Sequence, residues 1–266
     1  NFKVFGQKNM ECHAEDGLSF LKKTTTKFDW IYVDPSRRND KKGKVFLLED
    51  CLPNLPEHLP LLFDKTEKIL VKTSPLFDIK KGIGELDFIK EVHVVAVHNE
   101  VKELLFVLEK GYRGSIEIKT ADLYQEQINS FDFELGDEQE VQTHFGAPSS
   151  YLYEPNAAIL KSGGFKSVAS TFGLKKLHPH SHLYTSDKLI EFPGRRFYIE
   201  RSLPYSKKSF KSMGISKANI TTRNFPMSVA ELRKRHKIKD GGDRYLFFTK
   251  TTGDSLWLLD CKKAMD

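Results

Sequence analysis

The chain has 266 residues, 39% hydrophobic and 29% charged, with a formal net charge of +6, a mix that suits a globular protein with a substantial core and more than one domain. No apolar run approaches the ~20 residues of a membrane-spanning helix and no basic-then-apolar leader opens the sequence, so no membrane partner is expected and the expected location is the cytoplasm. Cys12, Cys51 and Cys261 are scattered without a Cys-x-x-Cys pair, which points to neither a disulfide framework nor a zinc knuckle.

The charge is unevenly placed. Residues 1–160 hold 20 Lys and Arg against 27 Asp and Glu, a net −7, whereas residues 161–266 hold 22 against 9, a net +13. A basic segment of this size fits either a polyanion partner such as nucleic acid or a lysine-rich solvated surface.

In chain order, "NMECHAEDGLSFLKK" reads as a short strand over Met10 to Ala14, an acidic turn at Glu15-Asp16-Gly17 and a helix through Phe20 and Leu21. Asp16 is placed to cap that helix. Next, "FDWIYVDPSRR" has a buried-strand pattern over Trp30–Val33 that runs into Asp34 and Pro35. Proline fixes its own φ and holds the preceding residue extended, so Asp34 is held still at the carboxyl end of a strand, where open α/β sheets bind ligands. An ordinary strand end followed by a turn is the competing reading. The cations Arg37, Arg38, Lys41 and Lys42 either clamp phosphate beside that site or solvate a loop.

"VFLLEDCLPNLPEHLPLLFDKTEK" is expected to be helical in two pieces broken by Pro53 and Pro56, "ILVKTSP" to be a buried strand and "FDIKKGIGEL" a short helix or turn. "EVHVVAVHNEVKELLFVLEKG" splits at His98-Asn99-Glu100 into two strands with a tight connection, and Glu100, Lys102 and Glu103 read as a protected strand edge. Residues 115–145 form an acidic, β-rich extension, and alternating strands and helices make an α/β sheet the expected architecture.

From Tyr151 the composition changes. "YLYEPNAAILKSGGFKSVASTFGL" is expected to hold a helix starting at Pro155, a Gly163-Gly164 break and a second helix. Then come a strand at "RRFYIERSLP", a short helix ended by Gly214, and a strand at "KANITTRNF". A helix with a capping box at Ser228 and Glu231 runs to Asp240-Gly241-Gly242, and a hairpin turns at Thr252-Gly253-Asp254. His178, His180 and His182 alternate but lack partner ligands, so no metal is expected.

These segments resemble a known family. "HAEDGLSFL", "FDWIYVDPSRR", "ILVKTSP" and "HNEVKELLFVL" resemble the second half of a class I S-adenosylmethionine-dependent methyltransferase. "RNFPMSVAELRKRHKIKDGGDRYLFFT" resembles the THUMP-like domain of a bacterial group of proposed RNA methyltransferases, and "YEPNAAILKSGGFKSVASTFGL" its small ferredoxin-like module. The resemblance implies a Rossmann-like sheet at 1–150, followed by small α+β modules at 151–193 and 194–266.

It also implies roles for residues. Asp16 and Gly17 match the position that approaches the cofactor adenine, and Asp34 and Pro35 match the loop that positions the methyl acceptor beside the cofactor. Arg37 follows in that loop, with Arg38 facing RNA phosphate. The basic set Lys207, Lys208, Lys211, Arg223, Arg233, Lys234 and Arg235 would hold RNA, such as tRNA or rRNA. Two departures stand out. Ser36-Arg37 replaces the proline and aromatic of amine-methylating relatives, and the uridine-methylating pattern it approaches needs a nucleophilic cysteine, whereas Cys51 has apolar flanks suited to packing. No Gly-x-Gly precedes Asp16, the spacing occurring at Gly82-Ile83-Gly84, so the cofactor loop and the ribose-holding acid are absent. The expectation is a C-terminal part of a longer enzyme, missing the sheet's first strands and binding S-adenosylmethionine poorly by itself. A non-catalytic RNA-binding protein on a degenerate methyltransferase scaffold is the alternative.

Overall fold

A computed structural model describes residues 6, 9–37 and 47–264. Two units emerge. One holds the described residues up to Thr73 with Phe77–Ile89 and Phe106–Arg113; the other holds Ser74–Leu76, Lys90–Leu105 and the described residues from Gly114 onward.

The first unit opens with α1 (Gly17–Lys23) and β1 (Ile31–Val33). β2 (Ser36–Arg37) pairs antiparallel with β3 (Cys51–Leu52), so the chain after Pro35 folds back as a short ribbon. α2 (Leu55–Lys65) follows, then β4 (Lys68–Thr73) and α3 (Ile79–Glu85). β1 and β4 run parallel with Ile31 opposite Ile69, Tyr32 opposite Leu70 and Val33 opposite Val71. Ile69 and Val71 are fully buried, so one face of β4 anchors this part of the core.

Three expectations are corrected here. Met10–Ala14 form no strand among the described residues, because no neighbouring strand supplies the ladder that would hold them extended. β1 is shorter and less buried than its pattern suggests: it ends its sheet, and Tyr32 is 56% exposed. Pro56 does not break a helix but sits in the first turn of α2, where its missing N–H costs nothing, behind the N-cap Asn54.

β5 (Ile89–Val97) and β6 (Glu100–Glu109) are joined through His98 and Asn99, both at positive φ (51° and 63°), the left-handed pair that a two-residue hairpin turn requires. β7 (Glu117–Tyr124) runs parallel to β5, and β8 (Gln127–Glu134) antiparallel to β7, giving the strand order β1-β4-β6-β5-β7-β8. The acidic stretch is thus partly β structure, ending in α4 (Leu135–Glu140).

The remaining residues build one seven-stranded sheet. In chain order they are β9 (Tyr151–Pro155), α5 (Ala157–Ser162), α6 (Phe165–Thr171), β10 (Lys175–Lys176) and β11 (Tyr184–Ser186). Then come β12 (Gly194–Pro204), α7 (Lys207–Ser212), β13 (Asn219–Arg223), α8 (Val229–His236), β14 (Arg244–Lys250) and β15 (Leu256–Lys263). The strand order is β10-β11-β9-β12-β15-β14-β13. Pro155 ends a strand rather than starting a helix; α5 begins after the N-cap Asn156. α8 stops at Lys237 in the left-handed conformation, three residues before Asp240.

Helices α7 and α8 cover one face of β14 and β15, where Phe210, Leu232 and Ile238 meet Leu246, Phe248 and Leu258. On the other face Leu152, Phe197, Phe247 and Leu259 form a second cluster. Each such fully buried side chain contributes roughly 1.5–3 kcal/mol. The sheet curls strongly. β9 and β13 are four strand steps apart, about 19 Å on a flat sheet, yet Arg223 on β13 donates to Glu154 on β9 at 2.8 and 3.1 Å.

Two helix starts in this unit are capped from elsewhere in the chain. The Asn99 side chain accepts from the Ala157 N–H at 2.7 Å, at the start of α5. Glu138 of α4 accepts from the N–H groups of Lys166 and Ser167 (2.7–3.0 Å), replacing the side-chain cap that Gly164 cannot give to α6. A Cβ on Gly164 would stand 2.6 Å from the Phe133 ring, so glycine there permits the approach of α6 to β8. No helix among the described residues is long and apolar enough to cross a membrane.

Candidate active site

A cleft of about 650 Å³ opens at the carboxyl end of β1, within the size range of small-molecule sites. Asp16 and Gly17 at the start of α1, Asp34 just past β1, the N-cap Asn54 of α2 and His58 within it line the cleft. Asp16, Gly17 and Asp34 therefore share one cavity, whereas Pro35 and Arg37 are not among the residues that line it.

Asp16 fulfils its capping role as well: its Oδ2 accepts from the Ser19 N–H at 2.8 Å. That hydrogen bond, with the Ser19 hydroxyl, holds its carboxyl below the usual aspartate range. Asp34 is half-exposed and its Oδ2 lies 2.6 Å from Nζ of Lys72. The sequence alone does not single out Lys72, although it carries a signal. Extending the β1–β4 register by one step beyond Val33 and Val71 sets Lys72 opposite Asp34.

Pro35 follows Asp34 directly, leading the backbone into β2. Arg37 contributes its backbone to β2 opposite Cys51; Arg38, Lys41 and Lys42 lie outside the described residues. Cys51 is buried with its thiol directed to the Leu47 carbonyl oxygen at 3.5 Å, in keeping with packing. Glu100 and Lys102 pair with each other at 2.8 Å. Of the histidines of "HPHSH", His178 and His180 have rings 5.7 Å apart and His178 also faces Asn224 and Asp254, while His182 turns to stack on Phe165 at 3.6 Å. No metal-binding group occurs among the described residues.

The expected RNA-binding set separates by environment. Arg223 is bound to the buried Glu154, and Arg233 pairs with Asp240 and reaches the Ala218 carbonyl oxygen. Both are structural cations first. Lys207, Lys211 and Arg235 line a groove at the ends of α7 and α8, while Lys208 and Lys234 are exposed.

Residues 151–193 match the ferredoxin-like domain of one family, and residues 194–263 match a THUMP domain-like family. Two uncharacterized S-adenosylmethionine-dependent methyltransferases of Mycobacterium tuberculosis, from strains CDC 1551 / Oshkosh and ATCC 25618 / H37Rv, are each 22% identical over 232 residues. That alignment covers 85% of this chain and 61% of each relative. A crystal structure described as a "putative methyltransferase from Porphyromonas gingivalis W83" superposes with a TM-score of 0.83 at 38% identity, covering 89% of this chain and 60% of that one. The chain spans about three fifths of the length of these relatives. It is thus a mixed α/β chain with the fold of that methyltransferase structure, carrying ferredoxin-like and THUMP domain-like segments at its C-terminal end, and it is similar over most of its length to proteins described as S-adenosylmethionine-dependent methyltransferases.

Proposed function

We propose that this chain belongs to a cytoplasmic S-adenosylmethionine-dependent methyltransferase that acts on structured RNA, such as tRNA or rRNA. Residues 1–150 would contribute to the catalytic domain, and the modules at 151–193 and 194–266 would hold the substrate. The observation that carries the reading is the convergence of Asp16, Gly17 and Asp34 on one cleft at the carboxyl end of a parallel strand, the place where open α/β sheets bind ligands.

The cleft would suit a nucleoside. Its walls include Leu21, Ile31 and Leu52, with Asp16, Asp34, Asn54 and His58 among its polar groups, the combination of apolar area and orienting groups that small-molecule sites use. Asp16 would accept from the adenine amino group, with the Gly17 backbone alongside. When bound, S-adenosylmethionine supplies an electrophilic methyl group. Asp34, steadied by Lys72 and by the restraint of Pro35, would accept a hydrogen bond from the acceptor and fix its lone pair along the line of transfer. Orientation of this kind supplies up to about 7–11 kcal/mol of barrier reduction. Arg37 and Arg38 would steer nearby phosphate, and Lys207, Lys208, Lys211, Lys234 and Arg235 would contact the RNA backbone. Arg223 and Arg233 leave that set, because their guanidinium groups are engaged by Glu154 and Asp240.

Calorimetric titration of S-adenosylmethionine into this chain, beside a version extended to the length of the relatives, tests the cofactor reading. Micromolar binding to the longer protein, weakened by Asp16→Ala, is the expected result. Absence of binding to both would transfer the weight to an RNA-binding scaffold without catalysis.

A further inference from the structure

The α7–α8 groove encloses about 500 Å³, floored by Phe210, Ile215 and His236. Lys207 and Lys211 stand one helical turn apart on α7, and Arg235 and Lys237 project from the end of α8. No carboxylate lines the groove among the described residues. Among the described residues none of the four cations is ion-paired, in contrast to Arg223 and Arg233.

Helix electrostatics alone does not explain the whole of this arrangement. Lys211 and Arg235 sit in the last turns of their helices, where aligned peptide dipoles favour cations. Lys207 is different: it opens α7, the end at which those dipoles disfavour positive charge. Lys237 caps α8 at φ 56°, a left-handed conformation that glycine adopts more cheaply. Lys207 is thus the one cation of the four at a helix end that disfavours it, while Lys237 adopts a backbone conformation more usual for glycine. His236 marks the floor. Its ring packs on Phe210 at 4.0 Å and its Nε2 lies 2.9 Å from the Tyr205 hydroxyl. Burial first, then the charges of Arg235 and Lys207, hold its pKa below the usual histidine value.

We propose that this groove is the principal phosphate-binding site of the C-terminal module, in which Lys207, Lys211, Arg235 and Lys237 grip successive phosphodiesters of an RNA strand. The assignment rests on the RNA reading above and narrows it to one surface, adding Lys237. The groove contacts backbone phosphate, so it contributes affinity and register rather than sequence choice.

The test is fluorescence anisotropy of a labelled tRNA transcript over a KCl series, using this chain, a Lys207→Glu/Lys211→Glu variant, and a Lys80→Glu/Lys102→Glu control that makes the same charge change on exposed positions elsewhere. The groove variant is expected to lose about tenfold or more in affinity near 0.15 M salt, and its log–log salt slope is expected to flatten by about 1.5, two contacts' worth. The control stays near wild type because distant charges are screened, and the His236 ring resonances of the wild-type protein shift on RNA addition. Equal losses in both variants would reduce the effect to net charge and overturn the groove. Tight wild-type binding unchanged in the groove variant would also overturn it while leaving the RNA reading intact. If wild-type protein bound no tRNA, both would fall. Circular dichroism melts of the variants establish that they are folded.

Discussion

Glu154 and Asp34 are both carboxylates at the end of a strand, and their surroundings differ in kind. Glu154, in β9, is 3% exposed and receives both Nε and Nη2 donors from Arg195 and from Arg223. Asp260, in β15, repeats the arrangement with Arg201 and Arg244. Asp34 is 49% exposed and opens onto a cleft beside Lys72. A buried carboxylate held by two guanidinium forks has its oxygens occupied and cannot be moved cheaply. A half-exposed one keeps acceptor capacity for an incoming group. The cations divide in the same way, with Arg223 committed to structure and the lysines of the α7–α8 groove open to solvent.

The sharpest way to break the contrast is to truncate the buried carboxylate. Glu154→Ala leaves two guanidinium groups without their counter-charge and removes the tie that draws β13 toward β9. The expected loss is about 3–5 kcal/mol, read as a fall in the urea midpoint at nearly constant m. A loss below about 1 kcal/mol would show that the paired arginines are adequately solvated without it and that the curl of the sheet has another cause.

A smaller effect comes from His182. Its pKa is lowered to about 4, by burial first and then by the charges of Lys176, Arg223 and His180, and its buried Nδ1 has no hydrogen-bond partner. Because the folded value lies below the unfolded one, the unfolded chain binds the extra proton between roughly pH 6.5 and 4. Stability is therefore full above pH 6.5 and is lost as pH falls toward 4. The ring is only partly buried, so solvent screening limits the loss to about 1–2 kcal/mol. Melts of wild type and His182→Gln between pH 7.5 and 4.5 should converge on acidification. Parallel pH profiles would count against the assignment.

Ser228→Ala should cost still less. The Ser228 hydroxyl accepts from the Glu231 N–H at 3.3 Å, while the Glu231 carboxylate accepts from the Ser228 N–H at 2.7 Å. Removing one arm of this box costs about 1 kcal/mol, and Ser228→Asp should restore most of it in the same melts.

That cap was legible in the sequence because serine and glutamate at the right spacing carry their own local geometry. The hairpin at His98-Asn99 was legible for a related reason, as two apolar runs flanking a left-handed turn. What sequence could not show was pairing between distant segments. Pro155 was read as the start of a helix, but β9 is held by β11 and β12, both later in the chain. Met10–Ala14 has strand composition and no ladder, since composition does not provide a neighbour. At the candidate site, Asp34 stands out by local chemistry and Asp16 by the resemblance, whereas Lys72 emerges only from the β1–β4 register. Arg223 looked like any basic residue until the curled sheet brought it to Glu154.

The smallest expected effect on stability is at Asp34, and it separates a site from a scaffold. Its partly exposed ion pair with Lys72 is worth at most about 1 kcal/mol, so Asp34→Ala should melt within a few degrees of wild type, unlike Glu154→Ala. On the proposed function, methyl transfer by a version extended to the length of the relatives should nevertheless collapse, because orientation of the acceptor is lost while the fold is kept. Asp34→Asn refines the reading. The carboxamide oxygen still accepts a hydrogen bond, so an enzyme that only orients an amine should retain part of its rate, whereas one that needs the carboxylate's charge or its capacity to take a proton should fall as far as alanine. Retained methyl transfer in Asp34→Ala would remove the residue from the site and leave Lys72 paired with it for structural reasons alone.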